Sequence, residues 1–298
     1  MAFCSKCGTK LAESAEFCSK CGMAVSSNLT RSSRENISQA KRRTRSNNTN
    51  FLVIIVVAVV IVGLLSAVFF LGGWKPFGEV VGSGNLVTNE EFISDFTSVD
   101  AASGFKVGIS QSNSYNILVE ADDNVIEYIE VRKSGDTLVI GVKWGYSFRS
   151  VTLNVEITMP ELHNLELSGG TQGILEEFSS TNQFSVDLSG GSTLRGEFVT
   201  SEDVDLDLSG GSVLTGLVGV ANDLAIDASS GSVLDLSSFA VHNVDVELSG
   251  GSISTINLDG RLDADLSGGS QLWYSGDPTL GTIETSSGSQ INKSSLPD

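Results

Sequence analysis

The chain has 298 residues, a formal net charge of −18 and 40% hydrophobic residues. The basic run before residue 51 could indicate nucleic-acid binding, but its position beside an apolar stretch favours a role in membrane topology and contact with anionic lipid, so we expect no nucleic-acid partner. The charge is unevenly distributed, because residues 1–50 hold nine Lys or Arg and three acids whereas residues 75–298 hold nine basic residues and 33 acids. Residues 51–74 between them carry no charge. Three regions of different character therefore follow one another.

All four cysteines lie within the first 21 residues and form two CxxC knuckles. Paired knuckles at this spacing deliver four thiolates to one tetrahedral Zn²⁺, so we predict a structural zinc ribbon over residues 1–27. Disulfides would require an oxidising compartment, and a thioredoxin-like redox pair would require a surrounding α/β domain. The knuckles resemble the short zinc ribbon found at the N-terminus of many prokaryotic membrane proteins, which implies an interaction module with a cytoplasmic protein partner. The predicted zinc ligands are Cys4, Cys7, Cys18 and Cys21.

A basic juxtamembrane linker, residues 28–50, precedes an apolar stretch over residues 51–72. About 20 apolar residues in a helix span the hydrocarbon core of a bilayer, and a run with no polar face does not suit a soluble helix. Six Lys or Arg residues in the linker precede the span, and only Lys75 follows it closely. The positive-inside rule then predicts a single-pass cell-membrane protein with a cytoplasmic N-terminus and an extracellular C-terminal domain. Residues 73–78 form a short linker to that domain.

The tetrapeptide Ser-Gly-Gly-Ser, or a close variant, recurs at intervals of 18 to 21 residues through the C-terminal half. A fixed period of this length is typical of a solenoid. The first Ser of each copy is Ser168, Ser189, Ser209, Ser229, Ser249, Ser267 or Ser286. Glycine reaches positive φ without steric cost, so each Gly pair predicts a corner at which the chain turns.

Before each corner stands an apolar–acid–apolar pattern, which predicts a short strand with one buried face and an outward carboxylate. Coils of about 20 residues containing two or three such strands predict an all-β domain over residues 79–298, a parallel and preferably right-handed β-helix. The outward acids would stack as one ladder: Glu166, Asp187, Asp207, Asp227, Glu247, Asp265 and Glu284.

Residues 79–160 are less regular but also predict strands. A hairpin is expected from Ile129–Arg132 and Thr137–Val142 across a Ser-Gly-Asp turn, and a further strand from Val151–Met159. The segment Val99–Gly104 resembles the repeat at Ile226–Gly231, so we interpret it as a degenerate first coil. Residues 105–160 would then be an insertion before the regular stack.

Several motifs of this region resemble those of the head GIN domain of putative auto-transporter adhesins. They are Val81-Gly82-Ser83-Gly84-Asn85, Ala121-Asp122-Asp123-Asn124, the strand Gly135–Ile140 and the Leu-Ser-Gly-Gly series. The resemblance covers about residues 79–290. It implies a β-helical, cell-surface, non-enzymatic module, and it supplies no catalytic residues.

The acidic ladder has two interpretations. It could be a solvated face that keeps the solenoid soluble, or carboxylates of successive rungs could bridge divalent cations such as Ca²⁺. A polysaccharide-active enzyme is a third interpretation, because such β-helices combine carboxylates with a basic proton acceptor. The basic residues Arg195 and Arg261 occupy other phases of the repeat, however, and so do the two histidines. The aromatic residues Trp144, Tyr146 and Phe148 alternate and would share one face for sugar stacking or for core packing.

These observations favour a membrane-anchored cell-surface protein whose outer β-helix mediates adhesion or binds an envelope polymer, glycan or protein. The zinc ribbon would then recruit or anchor a cytoplasmic partner. The alternative function is an envelope-state sensor that signals through the zinc ribbon. A polysaccharide-active enzyme ranks third.

Overall fold

The computed structural model describes residues 2–3, 10–11, 20 and 78–294, except 177, 180–182, 197 and 201. The chain divides into two compact units, Met1–Lys75 and Pro76–Asp298. Among these described residues, no helix is long and apolar enough to cross a membrane. The predicted span 51–72 and its flanking linkers up to residue 77 lie outside them.

In the first unit, strands β1 (Ala2–Phe3) and β2 (Lys10–Leu11) pair in antiparallel orientation. Ala2 pairs with Leu11 and Phe3 with Lys10, so the two strands bracket the first CxxC knuckle. A hairpin around the first two ligands is the usual form of a zinc knuckle. The four cysteines themselves lie outside the described residues, and their arrangement therefore stays a prediction.

The second unit consists almost entirely of β-strands. Its irregular N-terminal part contains β3 (Glu79–Val81), β4 (Leu86–Glu91), β5 (Ser98–Ala101), β6 (Lys106–Gln111), β7 (Asn116–Asp122), a 3₁₀ turn (Ile126–Tyr128), β8 (Ile129–Ser134), β9 (Thr137–Val142), β10 (Ser147–Arg149) and β11 (Leu153–Met159). Its regular part contains β12 (Asn164–Leu167), β13 (Gln172–Glu176), β14 (Phe178–Ser179), β15 (Phe184–Leu188), β16 (Thr193–Gly196), β17 (Phe198–Thr200), β18 (Asp203–Leu208), β19 (Val213–Thr215), β20 (Val218–Ala228), β21 (Val233–Leu248), β22 (Ile253–Leu258), β23 (Arg261–Leu266), β24 (Gln271–Ser275), β25 (Thr279–Thr285) and β26 (Gln290–Lys293).

The strands of successive coils stack in parallel, which confirms the predicted β-solenoid. One stack, here called the acidic face, runs through β9, β5, β12, β15, β18, the end of β20, the end of β21, β23 and β25. A second stack, the neutral face, runs through β11, β6, β13, β16, β19, the start of β21, β22, β24 and β26. A short third stack joins β14, β17, the start of β20, the middle of β21 and the end of β22.

Alternate residues of most strands point into one continuous apolar core, whereas β4 and β25 contribute no buried residue to it. The positions before each corner that were predicted to be apolar are buried from the first regular coil to Leu266, as at Leu165, Val186 and Leu206. The aliphatic residues after the corners, such as Leu194 and Leu234, fill the same interior from the neutral face. The period-two pattern of the sequence therefore gives the correct buried side.

Each Ser-Gly-Gly-Ser segment is a tight turn between the acidic and neutral faces. Both glycines have positive φ, for example +61° at Gly190 and +76° at Gly191, as the central residues of a type I′ turn require. The second Ser points inward and is fully buried, as at Ser192. Its hydroxyl donates to the carbonyl oxygen of Ser189 at 2.8 Å, which closes the turn from inside the core.

The N-terminal end corrects one expectation. Residues 105–160 are not simply an insertion, because β6 belongs to the neutral face and pairs with β13, while β5 pairs with β12. Strands β9 and β11 form a further rung beyond β5 and β6. The later strands thus extend the stack at its N-terminal end. This pairing is long-range, and no Gly-Gly corner in the sequence indicates it. The hairpin β8–β9 and the strand β11 were predicted correctly.

Two motifs that carried the family resemblance contact each other at this end. The buried carboxylate of Asp122 accepts hydrogen bonds from the backbone N–H of Gly84 at 2.6 Å and of Thr152 at 2.7 Å. Asn124 donates to the carbonyl oxygen of Val81 at 2.8 Å. These bonds hold the pKa of Asp122 below its usual value, because a carboxylate that accepts backbone N–H groups is favoured in its charged form. The motifs therefore clamp the first segment of the domain onto the solenoid.

Candidate functional site: the carboxylate ladder

The acidic face carries one outward carboxylate per coil at the same position of the strand. Strand pairing places Glu166 beside Asp187, Asp187 beside Asp207, and so on to Glu284 in the last coil. All seven predicted residues therefore stack in one column, as the repeat indicated. Asp100 pairs with Glu166 and adds an eighth carboxylate that the sequence prediction missed. We use the name carboxylate ladder for these eight residues: Asp100, Glu166, Asp187, Asp207, Asp227, Glu247, Asp265 and Glu284.

Asp100 was missed because its corner reads Ala-Ser-Gly-Phe and has only one glycine. The resemblance of Val99–Gly104 to a repeat was nevertheless a sufficient signal. At strand spacings of about 4.8 Å, eight stacked residues extend over about 34 Å. The column continues past Asp100 to Val139 and then to Arg132 on β8, so a guanidinium lies near its N-terminal end.

The ladder carboxylates have no direct side-chain partner in the described part of the chain, although the Arg132 charge acts on Asp100. Among the residues that the structure describes, no side chain makes a hydrogen bond or an ion pair with any of the eight. Acids in the two other outward columns of the same face have side-chain partners. The Arg261 guanidinium donates from Nη2 to Asp263 Oδ1 at 2.8 Å, and Asn243 donates to Asp223 at 2.7 Å.

The electrostatics of the ladder and of Asp263 differ in the same way. Partial burial raises the pKa of Asp207, and the neighbouring charges of Asp187 and Asp227 raise it further. The pKa of Glu166 is raised for the same reasons, with burial first. Burial also raises the pKa of Asp100, although Arg132 opposes that shift.

In contrast, the hydrogen bond from Arg261 lowers the pKa of Asp263 to about 2. This contact shows that Arg261 lies on the acidic face, two residues before Asp263 and in contact with one of its carboxylates. The ionised forms of Asp100, Glu166 and Asp207 are therefore disfavoured, whereas Asp263 is stabilised in its ionised form.

A shallow depression interrupts the acidic face at Ala225, whose small side chain leaves space between larger neighbours. The carboxylates that line this depression are Asp205, Asp207, Asp227, Asp245 and Glu247. Within the described ranges, no three His, Cys, Asp or Glu side chains converge closely enough to hold a metal ion. The structure thus gives no support for the Ca²⁺ interpretation of the ladder.

Both histidines lie away from the ladder and contact other acids. His242 Nδ1 is 2.8 Å from Asp259, and His163 Nε2 is 3.3 Å from Glu161. Arg195 projects from the neutral face, on the strand β16. The basic groups considered for an enzyme are therefore not assembled around the carboxylate ladder.

The aromatic residues do not form one continuous platform. Tyr146 and Phe148 pack against Tyr128, with ring centroids 4.3 and 6.1 Å apart. Trp144 is 77% exposed, and Trp273 on the neutral face is 39% exposed. Packing against Tyr128 thus accounts for the positions of Tyr146 and Phe148.

Comparison with known protein families gives two matches. The family described as "Putative auto-transporter adhesin, head GIN domain" matches residues 95–278, and a zinc-ribbon domain matches residues 3–25. The cysteine-rich segment therefore contains a zinc-ribbon domain, and the donor set of four thiolates in two CxxC knuckles fits Zn²⁺. None of the curated proteins matches the chain.

Three crystal structures are similar to the second unit. A putative adhesin from Bacteroides fragilis superposes with a TM-score of 0.67 at 19% identity and covers 72% of this chain and 99% of its own. A putative adhesin from Parabacteroides merdae gives 0.58 at 17% identity, covering 73% and 99%. A putative lipid binding protein from Parabacteroides distasonis gives 0.59 at 18% identity, covering 73% and 100%. At these identities the likeness concerns the fold. Because the family match spans more than half of the residues, the chain belongs to the auto-transporter adhesin, head GIN domain family.

Proposed function

We propose that the protein is a single-pass cell-surface adhesin whose non-enzymatic β-helical domain binds a ligand through the carboxylate ladder. Family membership supports an adhesin-like domain. The uncharged stretch 51–72 and the basic linker before it support a membrane anchor with the zinc ribbon in the cytoplasm. In this arrangement, the zinc ribbon holds a cytoplasmic protein partner.

The observation that carries the proposal is that no side chain among the described residues makes a hydrogen bond or an ion pair with a ladder carboxylate. Each ladder carboxylate points outward from a rigid strand, and adjacent carboxylates repel each other. A ligand with amines at the strand spacing, or at a multiple of it, would neutralise several of them at once. We therefore propose a cationic surface polymer or a basic protein segment as the ligand class.

Binding can be tested with the second unit, residues 78–298, because this unit contains the whole of the described apolar core. The purified domain is applied to whole cells and to an array of surface glycans, including amino sugars. The variant Asp187→Asn, Asp207→Asn, Asp227→Asn should lose most of the binding. The matched control removes three acids from elsewhere, through Asp235→Asn, Asp259→Asn and Asp277→Asn, and should retain it. Equal loss in both variants would mean that net charge alone, and not the ladder, determines binding.

The topology can be tested with the native cysteines, since all four precede residue 22. A membrane-impermeant maleimide should leave them unlabelled in intact cells and label them only after lysis and removal of zinc. A Ser→Cys substitution at the exposed residue Ser103 should be labelled in intact cells. Labelling with the reverse pattern would reject the proposed orientation.

The second candidate function, envelope sensing, rests on the combination of a zinc ribbon with an outer binding domain in one chain. Deletion of residues 1–27 separates the two functions. An adhesin should still bind cells after the deletion, whereas a sensor should lose its envelope-stress response and keep its surface binding.

A further inference from the structure

The last three rungs of the neutral face present outward side chains without charge. Strands β22, β24 and β26 pair in parallel and in register, so their outward residues form a nearly flat surface. Lys293 is the one charged residue in these three strands. It pairs with Tyr274 and alternates to the other side of β26, where its Nζ donates to Asp277 at 2.6 Å. We use the name amide patch for six outward residues: Ile253, Thr255, Gln271, Trp273, Gln290 and Asn292.

An exposed indole stands in the middle of this patch. Trp273 is 39% exposed, and its strand pairs on both sides, with β22 and with β26. Thr255 and Asn292 are its neighbours on the adjacent strands, and Gln271 lies two residues before it on the same face. The indole is therefore held on a rigid sheet, and a ligand that lies on the patch meets it.

The amides around the indole have unused hydrogen-bonding groups. Nδ2 of Asn292 is buried, and no described residue accepts a hydrogen bond from it. An unsatisfied buried donor lowers stability, and rotation of this side chain would turn the nitrogen outward to a ligand. The side chains of Gln271 and Gln290 likewise make no hydrogen bond with another described residue, since only their backbone groups do so.

This chemistry selects a neutral ligand that is rich in hydroxyl groups. A sugar ring presents C–H groups on its faces, which stack on an indole, and hydroxyl groups on its rim, which exchange hydrogen bonds with amides. A purely apolar partner would cover the amides without satisfying them. A polyanion would be repelled by the domain as a whole, because residues 75–298 hold nine basic residues and 33 acids. A cationic polymer would find no carboxylate on the patch and would bind the acidic face instead.

We propose that the amide patch binds a neutral polysaccharide, with a sugar ring stacked on Trp273 and its hydroxyl groups bonded to the flanking amides. Three strands in register cover two strand spacings, about 10 Å, and form no deep cavity. Such a surface suits an extended polymer better than a small molecule, which favours a concave site. The patch lies on a different face from the carboxylate ladder, and its binding does not depend on the ladder.

Co-sedimentation of the full chain in detergent with insoluble polysaccharides tests this proposal. The neutral probes are cellulose, curdlan and mannan, and chitosan is the cationic probe. We expect binding to at least one neutral probe, and this binding should persist at high salt because no charge is involved. Trp273→Ala should weaken it at least about tenfold, as truncation of a central aromatic contact typically does, and Gln271→Ala should weaken it less. Trp144→Ala is the matched control, since it removes an exposed indole outside the patch and should leave the binding unchanged.

Failure of all three neutral probes to bind would overturn the proposal, and so would equal losses in Trp273→Ala and Trp144→Ala. Binding that the triple ladder variant abolishes would belong to the ladder and not to the patch. Binding of phosphatidylcholine vesicles instead of polysaccharides would reject a sugar as the ligand. A circular-dichroism melt verifies that each variant is folded. In addition, the variant Trp74→Phe, Trp144→Phe leaves the patch intact, and its remaining Trp273 emission should shift to the blue when the polymer binds.

Discussion

Replacing one ladder carboxylate by its neutral isostere should stabilise the domain. In Asp207→Asn, the side chain keeps its shape but no longer repels Asp187 and Asp227 on the adjacent rungs. Two charges at a strand spacing of about 4.8 Å repel by about 1 kcal/mol in water. Because Asp207 is exposed and salt screens its charge, we expect the two contacts together to yield a gain of about 1 kcal/mol at low ionic strength.

The pH dependence of this gain has a definite sign. The pKa of Asp207 is raised above its usual value of 3.8, so the folded protein binds the proton more tightly than the unfolded chain does. Ionisation of Asp207 therefore lowers the free energy of unfolding. This loss is complete at pH values above the raised pKa and absent at pH values below about 3.8. The advantage of Asp207→Asn should thus be complete at pH 7 and absent at about pH 3.

The assay is urea unfolding of residues 78–298 at both pH values and at two salt concentrations, because urea, unlike guanidinium, does not screen charge. Asp235→Asn is the matched control, since Asp235 lies between Thr215 and Thr255 on adjacent rungs of the neutral face. The control should change stability little. A loss of stability in Asp207→Asn at pH 7, or a gain that persists unchanged at pH 3 or in the control, would refute the electrostatic argument.

Four further outcomes follow from the geometry. Ser254→Ala should raise the free energy of unfolding by about 1 kcal/mol, because this buried hydroxyl has no hydrogen-bond partner among the described residues. Ser232→Ala should lower the free energy of unfolding by about the same amount, because it removes a hydrogen bond of 2.8 Å. Equal effects of the two variants in urea unfolding would contradict this. Gly191→Ala should cost about 1–2 kcal/mol through its positive φ, and Gly190→Ala more, since its Cβ would also lie 3.1 Å from a backbone nitrogen of the preceding corner. Asp122→Asn should lower the melting temperature, because each oxygen of this carboxylate accepts a hydrogen bond from a backbone N–H. Since the pKa of Asp122 is lowered, the carboxylate stabilises the fold above pH 3.8, and this stabilisation is lost as the pH falls through the lowered pKa. A variant whose acid unfolding transition is unchanged would contradict this. Millimolar Ca²⁺ should leave the melting temperature of the domain unchanged, and a rise that the triple ladder variant abolishes would restore the cation interpretation.

The regular coils could be predicted from the sequence because every structural requirement there is local. A corner needs two residues with positive φ, and the strand before it needs an apolar–acid–apolar pattern, so the repeat alone gives the register of Glu166 to Glu284. The role of the second Ser was not predicted. The sequence indicates a polar residue at a corner, but only the structure shows that the hydroxyl of Ser192 points inward and closes the turn.

The N-terminal rungs could not be predicted in the same way. The pairing of β9 with β5 joins residues about 40 positions apart and reverses the order in which rungs are added along the chain. A single glycine, Gly145, and not a Gly-Gly pair follows Val142, so the repeat signal used elsewhere is missing. The sequence likewise gives no sign that Tyr146 and Phe148 pack against Tyr128, which precedes them by about 20 residues.

The ladder and the proposed membrane anchor lead to one geometric argument about adhesion. The described part of the domain begins with β3, which pairs with β10 close to the rung of β9. The ladder begins at Asp100, one strand from β9, and extends about 34 Å away from that end to Glu284. If the anchor holds this end next to the membrane, the distal carboxylates are the first to meet an opposing surface, and Asp265 and Glu284 should then contribute more to whole-cell binding than Asp100 and Glu166. Neutralising the distal pair and the proximal pair in separate variants compares these contributions directly. A domain that hangs freely on its linker would show no such gradient, so equal losses would argue against a fixed orientation even where the ladder itself binds the ligand.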